Sequence, residues 1–380
     1  MKLGIVFILY KYVYQMNIKA MLVSVFRNLI VVCALPLVMV SCMNDARKDA
    51  ENKYASGVVL IKNTGYYTVK LDDGLALYFS GFSENGKLEN LVADEDSVKG
   101  YEFYGTGFFV SADGKIATNA HVVTPPVSYD DVKGNLNTVI SDMRADMVSR
   151  FESYSRQAND VRNASLSKIM KGDDYSVERE LYSMLKDKMD QCRELYEELG
   201  RIDLSDIEIQ QTYSVSIAYS GTRAEADSGF YDCTLIAENE DADLALLQLD
   251  GKKTPEGKHI FEVTDGDPLS DYSLTDKLGK FVGNDKNSEL IMIGFNLGPV
   301  LAQTSQGLKA QVTTGAVSQE DDNRLMYTIP ALHGSSGSPV VNRKGELVGV
   351  NFAGLDMTQN FNYGIKVRRL YDLMEKGGLN

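Results

Sequence analysis

Histidine is scarce in this chain, three residues in 380, and cysteine is nearly as rare at four. No Cys-x-x-Cys pair, no His-Glu-x-x-His helix and no Walker loop occurs, so neither a metal nor a nucleotide is expected as cofactor. Basic residues are also short: 39 Lys and Arg stand against 53 Asp and Glu, a net charge of −14. That balance denies the chain the basic face on which nucleic-acid binding depends. Internal repeats and low-complexity tracts are missing too, which excludes solenoids and arrays. What is present, 44% hydrophobic and 24% charged residues, can bury a sizeable core, and the length suits two domains or one elaborated one.

The first 42 residues differ from the rest. Arg27 precedes an apolar run from Leu29 to Val40 that is short for a membrane span and has the form of a signal-peptide core. Its end, Met39-Val40-Ser41-Cys42, resembles a bacterial lipobox. The resemblance implies an exported protein lipidated on Cys42 and held at the cell envelope, on its periplasmic or surface face. An uncleaved signal anchor is the alternative, and Met16 or Met21 can serve as the start. With Cys33 removed in the leader, Cys192 and Cys233 remain to pair or to stay as buried thiols; the second reading is preferred, because sequence cannot bring them together.

From Ser56 onward, short runs rich in Val, Ile, Leu, Tyr and Phe alternate with Gly and Asp turns, a pattern that returns from Tyr213 to Leu249 and from Leu290 to Val367. Regular short strands of this kind predict a barrel or sandwich. Between them, after Pro125-Pro126, residues 130–200 become charged and carry apolar residues at helical spacing: Val132, Leu136, Ile140, Met143, Met147 and Phe151, then Leu181, Leu185, Met189, Cys192, Tyr196 and Leu199. Two amphipathic helices are expected, with the turn between Asn163 and Asp174 and containing Gly172, Ser176 capping the second helix and Gly200 ending it. Simple packing is the expected use of this hairpin, with a binding surface for a protein partner as the alternative. A last helix is expected from Val367 to Lys376, and no stretch remains for a further C-terminal domain.

His121 follows Thr118-Asn119-Ala120 at the end of an apolar, strand-like segment that begins Gly105-Thr-Gly107-Phe-Phe-Val. Imidazole is the side chain suited to moving protons near neutral pH. Asp241-Ala-Asp243-Leu-Ala-Leu-Leu247 and Gly334-Ser-Ser336-Gly-Ser-Pro339 come next, in the order His, Asp, Ser. A serine hydroxyl is a weak nucleophile that needs a general base, and the base needs a carboxylate to orient it. Ser336, His121 and Asp243 can fill these three roles. Glycines in the Ser336 run permit the tight turn that aims the amides of Gly334 and Ser336 at one point, as an oxyanion hole. Asp241 would share a strand face with Asp243. His333 is read either as a substrate contact or as a surface histidine, and His259, with no catalytic context, is expected to be exposed.

These three stretches closely resemble the trypsin/chymotrypsin superfamily, in particular its bacterial trypsin-like branch that includes the Deg/HtrA proteases, here without a PDZ domain. Gly345-Glu-Leu-Val-Gly-Val350 and Asn362-Tyr-Gly-Ile365 also fit, so the likeness spans roughly residues 56–375 apart from the helical insertion. It implies an all-β chymotrypsin-like fold of two antiparallel six-stranded β-barrels with the inserted hairpin and a C-terminal helix. The first barrel would occupy 56–255, interrupted by the insertion at 127–205 and projecting it near the cleft rim; the second, with the last helix, would occupy 256–375. The motif frame selects Asp243 over Asp241. It implies a pocket for the residue before the scissile bond lined by Pro330, Ala331, Leu332, Asn351, Phe352 and Ala353, and near Gly364, with no acidic residue to favour Lys or Arg and hence a small or medium apolar preference. Ser335, uncharged where zymogen-type members carry Asp, argues against activation by N-terminal cleavage. The expected function is a serine endopeptidase acting on protein or peptide through an acyl-enzyme; a catalytically silent protease-fold binding module using the hairpin is the alternative. An α/β-hydrolase is disfavoured, because no histidine follows Ser336.

Overall fold

The computed structural model describes residues 44–71, 74–222, 229–270, 289–352 and 362–378; the leader with Cys42, and Ala353, lie outside them. The strands of the N-terminal half are β1 (Val58–Leu71), β2 (Ala76–Phe79), β3 (Gly81–Phe82), β4 (Leu88–Glu89), β5 (Tyr101–Phe109), β6 (Lys115–Thr118), β7 (Ile207–Tyr219), β8 (Tyr231–Asn239) and β9 (Leu244–Leu249). Those that follow are β10 (Glu289–Gly294), β11 (Gln303–Thr304), β12 (Gly307–Leu308), β13 (Gln311–Glu320), β14 (Arg324–Tyr327), β15 (Pro339–Asn342), β16 (Leu347–Phe352) and β17 (Asn362–Lys366). In the first sheet the order is β1-β5-β6-β9-β8-β7; β1 also pairs with β7, closing a six-stranded ring, and β2 adds at the edge of β1. The order β10-β13-β14-β17-β16-β15 closes a second ring. The pairs β1–β5, β5–β6, β6–β9, β9–β8 and β8–β7 and all six pairs of the second ring are antiparallel. The fold is therefore two six-stranded antiparallel barrels with a helical insertion and a C-terminal helix, as expected.

Side-chain alternation divides each barrel strand between two cores. Val59, Ile61, Phe109, Ile116, Ala245 and Leu247 fill the first barrel. Their neighbours Val58, Leu60, Phe108, Ala117, Leu244 and Leu246 point the other way, into a cluster shared with Ile291, Ile293, Val341 and Val350 of the second barrel. Leu290, Met292, Leu325, Tyr327, Val340 and Val348 fill the second barrel itself. Burial on both faces explains why β9 reads Leu-Ala-Leu-Leu without polar alternation, and each fully buried Leu, Ile or Phe contributes about 1.5–3 kcal/mol. The C-terminal helix, Val367–Lys376, seals the shared cluster with Val367, Leu370, Leu373 and Met374.

By its contacts the chain divides into two units, one of residues 66–100 with 127–212, the other of 32–65, 101–126 and 213–380. The first holds the helices Tyr129–Lys171 and Ser176–Leu199. Ser128 caps the longer one by accepting the Asp131 N–H at 3.2 Å, and Gly172 ends it in a left-handed conformation, φ 76°. Met143, Met147 and Leu199 form its small core with Ile140 and Leu195. The turn is shorter than expected: residues 163–171 stay helical, because their apolar and charged residues continue the helix until Gly172 breaks it. Ser176 is the first helical residue rather than the cap, and Asp174 bonds its amide and hydroxyl.

Candidate active site

Strand β6 ends at Thr118, and His121 rides on a four-residue helical turn, Ala120–Val123, one step beyond the strand on which the sequence pattern placed it. A turn that short cannot satisfy its last carbonyls. The fully buried Asn63 of β1 does so, donating from Nδ2 to Val122 O at 2.9 Å and Val123 O at 2.7 Å. Gly105 lies against this turn, where a Cβ would meet Val122 Cγ1 at 2.5 Å.

Asp243 precedes β9 in a turn, with φ 48° and its amide bonded to Glu240 O at 3.0 Å. Its Oδ2 lies 2.7 Å from His121 Nδ1, its Oδ1 accepts the His121 backbone N–H at 2.9 Å, and its carbonyl accepts from Asn119 Nδ2 at 2.9 Å. This grip on ring and backbone puts the proton on Nδ1 and leaves Nε2 as the basic nitrogen. The expectation that Asp241 shares a strand face with Asp243 fails, since both precede the strand. Asp241 is exposed and lines a different cavity with Arg324 and Arg369.

Ser336 sits in a loop held from both barrels. The buried Thr106 of β5 donates its amide to Ser336 O at 2.9 Å and its hydroxyl to Gly334 O at 2.7 Å, while accepting the Phe295 N–H at 3.0 Å. Gly334 and Gly337 have φ 89° and 84°, and a Cβ on Gly337 would meet Thr106 O at 2.0 Å, so only glycine fits there. Among the described residues the amides of Gly334 and Ser336 have no acceptor, whereas Ser335, Gly337 and Ser338 donate within the fold. Two free N–H groups beside a hydroxyl are what an oxyanion requires. No hydrogen bond joins Ser336 to His121; both line one cavity of about 590 Å³ with Gly334 and His333.

The residues expected around the substrate separate. Leu332 and His333 are exposed, and Ala331 is half-buried against the second barrel's core. Phe352 faces the His121 ring edge-on, centroids 6.5 Å apart, and has the Arg324 guanidinium 5.7 Å from its own centroid. Asn351, expected in the pocket, is fully buried instead. Its Nδ2 donates to Ser335 O at 2.9 Å and its Oδ1 accepts from the Tyr327 hydroxyl at 2.7 Å, so its polar atoms are spent on the loop. The sequence reading missed Thr106, Asn63 and this use of Asn351; the glycines flanking Thr106 were the one available signal for a close approach. His259 is not exposed: it packs edge-on to Tyr54 and Phe261, and burial, with Lys53 nearby, depresses its basicity. Cys192 and Cys233 are both free thiols, and burial pushes Cys233 up to about 12.

Residues 205–350 match a family model described as a trypsin-like peptidase domain, a stretch that includes Asp243 and Ser336 and begins after His121 and the hairpin. Among solved structures, a serine endoprotease from Yersinia pestis is similar at 13% identity and a TM-score of 0.40, over 90% of this chain and 68% of that one. No curated protein matches the chain. The two closed barrels accord with this match, which gives the chain a trypsin-like peptidase domain over residues 205–350.

Proposed function

We propose that the protein is a serine endopeptidase in which Ser336 attacks the scissile carbonyl, His121 takes and returns the proton, and Asp243 orients the imidazole. The two-point grip of Asp243 on His121 carries this reading, because it leaves Nε2 free for a proton in the cavity that Ser336 also lines. The amides of Gly334 and Ser336 stabilise the tetrahedral oxyanion, the acyl-enzyme forms on Ser336 Oγ, and water, activated by the same imidazole, releases it. His121 and Ser336 close to hydrogen-bonding range when substrate excludes water from the cavity. We further propose export to the bacterial envelope and anchoring by a lipidated Cys42, on the strength of the lipobox-like Val40-Ser41-Cys42; among the described residues no helix is long and apolar enough to cross a membrane.

One experiment tests both parts. A fluorophosphonate probe applied to bacterial fractions labels the wild-type protein in the membrane fraction, Ser336→Ala abolishes labelling, and Cys42→Ala moves the labelled protein to the soluble fraction. Folded wild-type protein that resists the probe would favour the silent binding module, and labelled Cys42→Ala that stays in the membrane would refute the lipid anchor.

A further inference from the structure

The cavity beside Ser336 extends well beyond the reacting atoms. Its far wall is Phe103, Tyr104, Val122, Pro125, Pro126 and Leu297, and among the described residues no Asp, Glu, Lys or Arg lines it, in a chain where such residues make up 24% of the sequence. At about 590 Å³ it is large enough for a bulky side chain together with the backbone that carries it.

Leu297 is placed with some effort. It is a non-glycine residue at φ 55°, a conformation that a bulky side chain adopts only when its surroundings impose it. Here its amide donates to the His333 carbonyl, and Gly298 follows so close to Tyr104 that a Cβ would lie 2.9 Å from the tyrosine's own Cβ. The result is a leucine 40% exposed at the edge of a cavity whose opposite wall is aromatic and proline-rich.

The side of the cut on which this cavity lies follows from the chemistry. The imidazole hands its proton to the departing nitrogen, so the leaving group must pass on the His121 side of Ser336. Val122, Pro125 and Pro126 follow His121 directly in the chain and share the cavity with it, whereas Ala331, Leu332 and Phe352, expected on the acyl side, form no part of its lining. Resting on the protease reading above, we infer that this cavity is the subsite for the residue after the scissile bond, and that it selects a peptide with a Leu, Ile, Val, Met or Phe side chain there. An acidic or lysine side chain would lose its hydration against an aromatic and proline-rich wall that offers no Asp, Glu, Lys or Arg among the described residues, and glycine would leave the wall unfilled.

The test is a digest of a denatured, unrelated protein mixture by the full chain, with cut sites read by mass spectrometry. Apolar residues should follow the cut about tenfold or more above their background frequency relative to Asp, Glu and Gly. Leu297→Asp should flatten that ratio, and the wild-type profile alone decides if the variant does not fold. Equal use of Asp, Gly and Leu after the cut would overturn the inference. Fluorophosphonate labelling of the same preparation separates the two readings: a labelled enzyme with a flat profile sinks only the subsite, while an unlabelled, inert protein sinks the protease reading and the subsite with it.

Discussion

At the scale of single residues, buried polar side chains carry the cost of shaping the nucleophile loop. Asn351 and Tyr327 are fully buried and bonded to one another, and burial keeps the tyrosine hydroxyl well above the ordinary phenol range, hence protonated and able to donate. Truncating Asn351 leaves the Ser335 carbonyl without its Nδ2 donor and removes one of the two acceptors of the Tyr327 hydroxyl, the other being Tyr363 O at 2.9 Å. Asn351→Ala should therefore lose about 2–3 kcal/mol in denaturant unfolding, and Ser336 should react more slowly with a fluorophosphonate in the protein that remains folded. Tyr327→Phe keeps the ring's packing and should lose less in both measurements; equal stability and reactivity in the two variants and wild type would show that the network does not hold the loop. Ser338, buried without a partner for its hydroxyl among the described residues, is accommodated because Gly294 faces it, where any Cβ would lie 1.9 Å from Ser338 Oγ.

At the scale of elements, the longest helix depends on its last residue. The Tyr129–Lys171 helix ends because Gly172, at φ 76°, donates its amide back to Ile169 O and Lys168 O; an added Cβ there meets no other atom, so the cost of a side chain is purely conformational. Left-handed backbone costs a non-glycine residue about 1–2 kcal/mol. Gly172→Val should thus lower the stability of the helical unit by about that much, read from denaturant unfolding at 222 nm, while Ser336 labelling keeps its wild-type rate. An unchanged midpoint would mean that the turn reorganises instead. The hairpin's two helices and their apolar faces were legible in the 3.6-residue spacing, but the turn was placed too early, since nothing between 163 and 171 stops a helix and only Gly172 does.

At the scale of the whole molecule, an acidic chain with a net charge of −14 places few basic residues inside, and Lys366 is one of them. Its Nζ lies 2.9 Å from Asp267 Oδ2 and 2.9 Å from Glu320 Oε2, tying β17 to β13 and to the loop at 267. Burial disfavours the ammonium, but the two carboxylates outweigh it and hold Lys366 above its ordinary 10.5. A folded-state value raised in this way gives stability that is complete below the unfolded value and is lost as pH climbs through the folded one. Stability should therefore fall on raising the pH past about 10.5, and Lys366→Met should remove that part of the decline in thermal scans at pH 9 and 11. Parallel declines in the two proteins would show that the pair contributes nothing to folding.

The amino-acid sequence by itself determined the class of fold and the candidate residues for chemistry. Alternation, glycine turns and helical spacing are local properties, and His121, Asp243 and Ser336 stand in short motifs that retain their meaning in one dimension. Which residues serve the substrate and which serve the loop was decided only in three dimensions. Asn351 sits in the same strand as Phe352, yet alternation and the closure of the second barrel turn it inward to Ser335, and Asp241 differs from Asp243 only through the turn that aims one carboxylate at His121. The apolar subsite gathers residues near 104, 125 and 297, and burial of both faces of the strands between two barrel cores brings together segments that no local pattern connects.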